Sequence, residues 1–435
     1  MPNPLHANDR PGTYPPSWYQ STVPVRAPVP PLEAELSVDV CVIGGGYTGL
    51  SSAIHLAEFG YDVVVLDAHR VGWGASGRNG GQVGSGQRLG QDVLERNLGH
   101  DHARALWSIA EEAKSTVRAL IRKHAIRCDY RPGVAGLGQG KESARLARST
   151  LERLERSYGY DKLELLDDDS LAELVGSSAF RGGLIDWGAG HLHPLKFALG
   201  LADAAREIGV QLFEMSEAES IRLGKSATVK TAKGSVSANA VVIACNGYLG
   251  ALDTEIARRV MPINSFMIAT EPLDESTAKR LLRRDVAAYD DRFVVNYFRK
   301  TPDHRLLFGG GESYGVRFPP DIAHKVRKRM LRIFPDLGGI RIDYAWGGTL
   351  AITRNRMPHF ARVENGIYSA SGYSGHGVAM ATMAGKIIAQ AINGDLEKFD
   401  VMSRVPTPGF PGGIRLWSPV LALALVWFAI RDRIL

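Results

Sequence analysis

The chain has 435 residues, of which 45% are hydrophobic and 23% charged, and its formal net charge is +6. These proportions describe a globular protein with a sizeable core and exclude a collagen-like, low-complexity or disordered chain; the length leads to an expectation of two domains. The charge excess is mild, and the densest basic run, His324 to Arg332, has the spacing of a solvated helix face rather than of a nucleic-acid arm.

The first 35 residues are rich in Pro and aromatics, lack the apolar core of a secretory signal, and read as an extended arm. The organising stretch follows. Val38, Val40, Val42 and Ile43 predict a buried strand. Gly44-Gly45-Gly46-Tyr47-Thr48-Gly49 is a G-x-G-x-x-G turn, and an apolar helix runs from there to a stop at Gly60. Val63 to Leu66 predicts a second strand, closed by Asp67 18 residues after Gly49. In such a unit Gly44 allows the tight turn, Gly46 lets backbone approach a pyrophosphate, and Gly49 lets the helix lie close to the strand. The free N–H groups of Tyr47 and Thr48 at the helix start face the phosphates, and Asp67 accepts from ribose hydroxyls. The fingerprint alone leaves NAD and FAD both open.

Ala68 leads into a small-residue stretch, Gly72-Trp73-Gly74-Ala75-Ser76-Gly77-Arg78-Asn79-Gly80-Gly81-Gln82. Small side chains let backbone wrap closely around a ligand, and successive N–H groups form an anion nest. The pairing of this stretch with the fingerprint resembles the glycine oxidase/D-amino-acid oxidase family of FAD-dependent amine oxidoreductases, and within it the branch acting on γ-glutamylputrescine and related γ-glutamyl amines. The resemblance covers roughly residues 35 to 400. It implies an α/β fold with a Rossmann-like FAD-binding domain and an inserted α+β substrate domain built on an antiparallel sheet. It also implies that the 72–82 loop lies along the pyrophosphate and beneath the isoalloxazine ring.

Beyond the loop, Val93 to Asn97 and His102 to Lys123 predict helices, Cys128 to Leu137 a hairpin-like pair around Pro132-Gly133, and Ser143 to Tyr158 a charged helix. Gly183 to Pro194 reads as a short strand and loop, followed by a helix to Ile208 that opens on proline. Val210 to Phe213 is a strand, Ile221 to Thr231 a hairpin, and Ala240 to Cys245 a buried strand. By resemblance, that last strand returns to the cofactor sheet and its Asn246-Gly247 turn faces the dinucleotide. Ile263–Thr270, Val294–Arg299, Arg305–Gly310 and Arg341–Trp346 carry strand patterns, with a helix over Ala323 to Phe334. Gly366 to Gly377 is a strand and a second glycine-rich turn, with Gly372, Gly375, His376 and Gly377 ahead of a small-residue helix to Ile392. The resemblance implies that this helix start faces the flavin pyrimidine carbonyl, where its dipole favours the reduced flavin.

The expected organisation is therefore residues 36–90 and 350–392 for FAD, with returning segments near 183–250. Residues 91–182 and 251–349 form the substrate domain, and 393–435 a tail. Within the tail, Leu416 to Ile430 is almost wholly apolar but too short to span about 20 residues' worth of bilayer. It is read as packing on the protein, with an interfacial membrane anchor as the alternative.

The resemblance implies hydride removal from a C–H beside an amine nitrogen, electrons passed to O2 as hydrogen peroxide, and an imine that hydrolyses to an aldehyde or keto acid. A membrane-docked dehydrogenase using a quinone, or a non-redox dinucleotide-binding protein, are the competing readings. His376 is a candidate for polarising the flavin, against a purely backbone role for its turn. Trp346 is a candidate pocket wall, and Tyr297 shares a strand face with Arg299. Arg299 or Arg305 is a candidate carboxylate clamp, against the reading of each as a surface arginine. Trp73 covers the ring face or simply packs. Cys41, Cys128 and Cys245 are too few for a disulfide framework and show no metal spacing, so no metal and a reducing, cytoplasmic setting are expected. FAD is expected to be non-covalent, with His69 as the exception to consider for a tether.

Overall fold

The computed structural model describes residues 3–363 and 366–411. The fingerprint unit folds as read: strand Glu35–Ile43, helix Tyr47–Glu58 and strand Val63–Leu66. The first strand runs parallel to Val63–Leu66 on one side and to Ser235–Ile243 on the other. Ile367–Ser371 adds parallel to Ser235–Ile243, and Gln211–Phe213 parallel to Val63–Leu66. The edge strand His359–Val363 pairs antiparallel, and the hairpin Ser220–Arg222/Ala227–Lys230 hangs on the Ser235 end. This is an eight-stranded, mainly parallel sheet. Its central strands are continuous runs of Val and Ile because both faces are covered.

Two helices on one face bring distant chain segments together. Gly377–Ile392 crosses Tyr47–Glu58 so closely that a Cβ on Gly385 would lie 2.4 Å from the Thr48 carbonyl. Ser51 Oγ donates to the Thr382 carbonyl across the same contact at 2.6 Å. The run of small residues read at Val378–Ile392 is thus the packing surface that ties the two ends of the sequence to one site.

The second sheet has nine strands. Ile342–Ile352, Met261–Thr270, Leu306–Ser313, Tyr297–Lys300 and Ala287–Asp290 follow one another antiparallel. Ala287–Asp290 then pairs parallel with Arg131–Gly138, so the sheet is mixed rather than wholly antiparallel. Three sequence expectations change here. Residues 128–137 do not fold back as a hairpin: Arg131–Gly138 is one strand paired along Gly182–His191, and Pro132-Gly133 makes an irregularity in it. A proline lacks the N–H for one ladder bond, and Gly133 takes φ +97°, so the pair kinks the strand without reversing it. Gly182–His191 is a ten-residue strand of this second sheet, so the chain returns to the first sheet only after helix Pro194–Glu207. Gln82–Val83, inside the segment read as cofactor domain, also joins the second sheet, against His191 and Gly190.

Short elements that carried no clear period went unread: strand Leu163–Leu166, helix Asp168–Val175, helix Glu275–Leu281 and strand Ala287–Asp290. The apolar stretch 416–430 lies outside the described residues. Among the described residues no helix is long and apolar enough to cross a membrane.

Candidate active site

A cavity of about 1110 Å³ runs between the two sheets. It is larger than the roughly 300–1,000 Å³ of ordinary small-molecule pockets. One end is the fingerprint. A Cβ on Gly49 would sit 1.9 Å from the Gly44 carbonyl, so only glycine lets the helix start against the turn. Asp67 is tied from below: Gly45 N–H donates to one carboxylate oxygen at 2.7 Å and His69 N–H to the other at 2.8 Å. Burial raises its pKa to about 6, against the lowering effect of those two N–H groups. Ser76 Oγ accepts from Tyr47 N–H at 3.0 Å, which fastens the small-residue loop to the helix start.

Gly44, Gly46, Tyr47, Thr48, Asp67, Ala68, Gly74, Ala75, Ser76, Asn79, Gly80, Gln82, Asn246, Gly375, His376 and Gly377 all line this cavity, as does Tyr297. Gly49, Gly81, Gly247 and Gly372 shape its wall from behind. Gly372 N–H donates to Asn246 Oδ1 at 3.0 Å, so the two turns are locked to each other across 126 positions of sequence. Gly81 N–H donates to Asn79 Oδ1 at 2.8 Å, which rigidifies the loop. Half-buried His376 is held neutral at pH 7: burial, then Arg88, push its pKa down to about 4. Its Nε2 is buried and has no partner among the described residues.

Four candidates stand elsewhere. Arg305 lies off the cavity, bonded to Asp303 at 2.7 Å, to Asp343 at 2.5 Å and to the Thr270 carbonyl, so its charge is spent within the sheet. Arg299 is buried beneath the loop, where it donates to the carbonyls of Gly80 and Leu192 at 3.2 Å each. It supports the loop from behind instead of facing a ligand. Trp346 is 2% exposed, packs edge-on against Tyr19 and donates its indole N–H to the Arg78 carbonyl at 3.0 Å. Arg78 itself is buried, paired with Asp9 at 2.6 Å, and stacked 4.4 Å over Trp73. The hidden arm residue Asp9 could not be matched to Arg78 by spacing, since 69 positions separate them.

Trp73 lines the cavity but stacks flat on His69 at 3.8 Å and donates to the Thr13 carbonyl, so its contacts are those of packing. His69 is 1% exposed, its ring bonded to Leu5 O and Gly12 N, which leaves no nitrogen free to tether a cofactor. Cys245 lines the cavity beside Asp67, but burial pushes its thiol up to about 12. Among the described residues no cluster of His, Cys, Asp or Glu could hold a metal ion.

Several polar residues in the wall were not singled out from sequence. Arg88, Asp186, Tyr289, Glu312 and Arg356 all line the cavity. A signal existed for two of them. Asp186 interrupts an otherwise apolar strand, and Arg88 follows the glycine-rich loop within six residues.

The residues present fit an extended dinucleotide: an acid over the ribose position, a helix start over the phosphates, a backbone-rich loop and an orphaned imidazole nitrogen at the far turn. Comparisons with known proteins agree. Residues 39–391 match the family model described as DAO, FAD dependent oxidoreductase. The chain is 42% identical over 419 residues to γ-glutamylputrescine oxidoreductase of Escherichia coli K12, covering 96% of this chain and 98% of that protein. It is also 42% identical over 418 residues to a probable oxidoreductase, OrdL, of Rhizobium meliloti, covering 96% and 97%. Among solved structures, glycine oxidase from Geobacillus kaustophilus superposes with a TM-score of 0.73 at 20% identity, over 85% of this chain and 100% of that one.

Proposed function

Because this chain belongs to the DAO family of FAD-dependent oxidoreductases, we propose that it oxidises the C–N bond of a γ-glutamyl amine, with γ-glutamylputrescine as the preferred substrate and O2 as the electron acceptor. The observation that carries the reading is a single cavity. It begins at Gly44 and Asp67, passes His376, and ends on a wall where Arg88 and Arg356 form no ion pair with any described carboxylate. A carboxylated amine suits that wall, and the 42% identity to γ-glutamylputrescine oxidoreductase supports the same class.

Gly44, Gly46, Tyr47, Thr48 and Asp67 would hold the dinucleotide half of FAD, and Gly74 to Gln82 the stretch toward the ring. When bound, FAD supplies the acceptor for a hydride. Oxidation of the primary amine would remove a hydride from carbon and a proton from nitrogen to give an imine; water would add to it and ammonia would leave, giving the aldehyde. Oxygen takes up the two electrons and two protons as hydrogen peroxide. The wall does positioning work: Arg299 holds the Gly80 carbonyl, which fixes the loop, and Tyr297 closes over Gly80. His376 offers its neutral ring to whatever occupies the turn.

Arg88 and Arg356, which line the cavity, rather than Arg299 or Arg305, supply the carboxylate clamp. Three unpaired cysteines suit a reducing compartment and support a cytoplasmic location. The test is stopped-flow bleaching of the flavin absorbance by γ-glutamylputrescine under nitrogen, then by the same substrate in air with a peroxide assay. Bleaching and stoichiometric peroxide are expected. Bleaching without peroxide, reversed by a soluble quinone, would make it a dehydrogenase; no bleaching with any amine would remove the activity.

A further inference from the structure

One part of the cavity lining carries opposite charges, Arg88 and Asp186, both near enough to Tyr289 to act on its hydroxyl. Arg88 uses only Nε within the protein, donating to the Ser374 carbonyl at 3.2 Å. Its two terminal nitrogens make no hydrogen bond among the described residues, and Arg356 is close enough to lower its pKa, after burial. Arg356 rests over the ring of Phe293 at 5.0 Å and lines the same cavity. Glu312 acts on Arg88 at longer range only, and its Oε2 is engaged by the Tyr314 hydroxyl at 2.5 Å.

Asp186, on strand Gly182–His191 and in the same lining, presents a carboxylate with one oxygen occupied and one open. Oδ1 accepts from the Tyr160 hydroxyl at 2.5 Å, from Gly188 N–H at 2.9 Å and from Ala189 N–H at 3.1 Å. Oδ2 accepts nothing among the described residues. The direction of the Tyr160 bond is set from behind. Lys114, its side chain 1% exposed, donates to the Tyr160 oxygen at 2.9 Å and pairs with Glu111 at 2.8 Å. With that oxygen accepting from an ammonium, the phenol proton goes to Asp186. The buried Lys114 charge is compensated by Glu111 and by hydrogen bonds to Ser85 and Tyr160, and the bond to Tyr160 fixes the phenol that orients Asp186. Tyr289 lines the same part of the cavity: its place inside the cavity raises its hydroxyl pKa, Asp186 raises it further and Arg88 lowers it, so both charges reach it.

We propose that this part of the cavity is an amino-acid head-group subsite. Arg88, with Arg356 beside it, takes the α-carboxylate of a γ-glutamyl group, and the open oxygen of Asp186 takes its α-ammonium. The amine to be oxidised then extends toward Gly80 and Tyr297. Tyr160 and Lys114 are positioning residues for Asp186. The subsite rests on the proposed γ-glutamyl amine reading, but it distinguishes a γ-glutamyl amine from a free polyamine without any contact at the reacting carbon.

The test is calorimetric binding to the FAD-loaded protein of two ligands that lack the terminal amine of γ-glutamylputrescine: γ-glutamylbutylamide, with both head-group charges, and glutarylbutylamide, which lacks the ammonium. Asp186→Asn keeps the acceptor oxygen for Tyr160, Gly188 and Ala189. It is expected to weaken γ-glutamylbutylamide about ten- to a hundredfold, the loss of a charged hydrogen bond, and glutarylbutylamide less than twofold. Arg88→Met is expected to weaken both ligands at least tenfold, measured on protein that carries FAD. Lys114→Met should reproduce the Asp186→Asn pattern more weakly. Equal weakening of both ligands by Asp186→Asn, or wild-type protein that binds γ-glutamylbutylamide no better than N-butylacetamide, would overturn the subsite. Intact head-group binding without turnover of γ-glutamylputrescine would instead overturn the reaction and leave the subsite standing.

Discussion

Asp67 holds a charge where a buried carboxylate is disfavoured, and the conflict has a measurable sign. Its folded pKa of about 6 is raised above the ordinary aspartate value, chiefly by burial. Its contribution to the stability of the cofactor-free protein is therefore full at pH below the unfolded value of about 4 and is lost as pH rises through 6. Cofactor binding runs the other way, because ribose hydroxyls donate better to a carboxylate than to a neutral acid. FAD affinity is expected to fall as pH drops below 6, and Asp67→Asn should remove that dependence. The same variant should bind FAD about ten- to a hundredfold more weakly at pH 7.5, and the wild-type cofactor-free protein should lose melting temperature as pH rises from 4 through 6. Titration of flavin fluorescence quenching against pH, alongside thermal melts of the stripped protein, measures both. An affinity that stays flat from pH 5 to 8 in the wild type would take Asp67 out of the site. Arg305 shows the opposite case. It is a candidate carboxylate clamp by residue type, but its guanidinium is held by Asp303, Asp343 and the Thr270 carbonyl.

Among the elements, the helix Tyr47–Glu58 carries the tightest constraint. It must meet its own strand at Gly49 and the distant helix Gly377–Ile392 at Gly385, and both contacts leave no room for a Cβ. Gly49→Ala would place a methyl 1.9 Å from the Gly44 carbonyl, so the helix start must shift away from the turn. Overpacking of this kind costs about 1–3 kcal/mol, and the displaced N–H groups no longer meet a phosphate. Flavin content per chain is expected to fall by more than half, with a lower melting temperature that excess FAD does not fully restore. A fully loaded Gly49→Ala protein of unchanged melting temperature would contradict the tight crossing. The helix itself was legible from its period and its glycine borders. The hairpin read at residues 128–137 was not there, because Pro132-Gly133 is equally good punctuation for a turn and for a kink in a long strand. Which of the two forms depends on the partner strand Gly182–His191, some fifty positions away.

At the scale of the whole molecule, two sheets enclose one cavity, and Cys41, Cys245 and His69 are disarmed as tethers for a flavin. Cys41 is buried in the central strand with its thiol pushed far up, Cys245 sits beside Asp67 with a thiol pushed up to about 12, and both nitrogens of His69 are bonded. Only the thiolate is an effective nucleophile. Acid precipitation is therefore expected to release FAD into the supernatant, read by its absorbance; flavin retained in the pellet would show a tether.

Residues 38–67 alone determined the nucleotide-binding unit, because a strand, a glycine turn, a helix and an acid are set by steric rules acting over some thirty neighbouring positions. The second turn at Gly372–Gly377 was legible for the same reason. Where side-chain charges end up was decided only by the tertiary structure. Arg78 meets Asp9, Arg299 meets the Gly80 carbonyl, Arg88 meets the Ser374 carbonyl, and Asp186 is aimed by Tyr160 and Lys114. Each arginine looks alike in the sequence, since its long side chain satisfies itself on whatever acceptor folding brings near, and those acceptors lie from tens to hundreds of positions away.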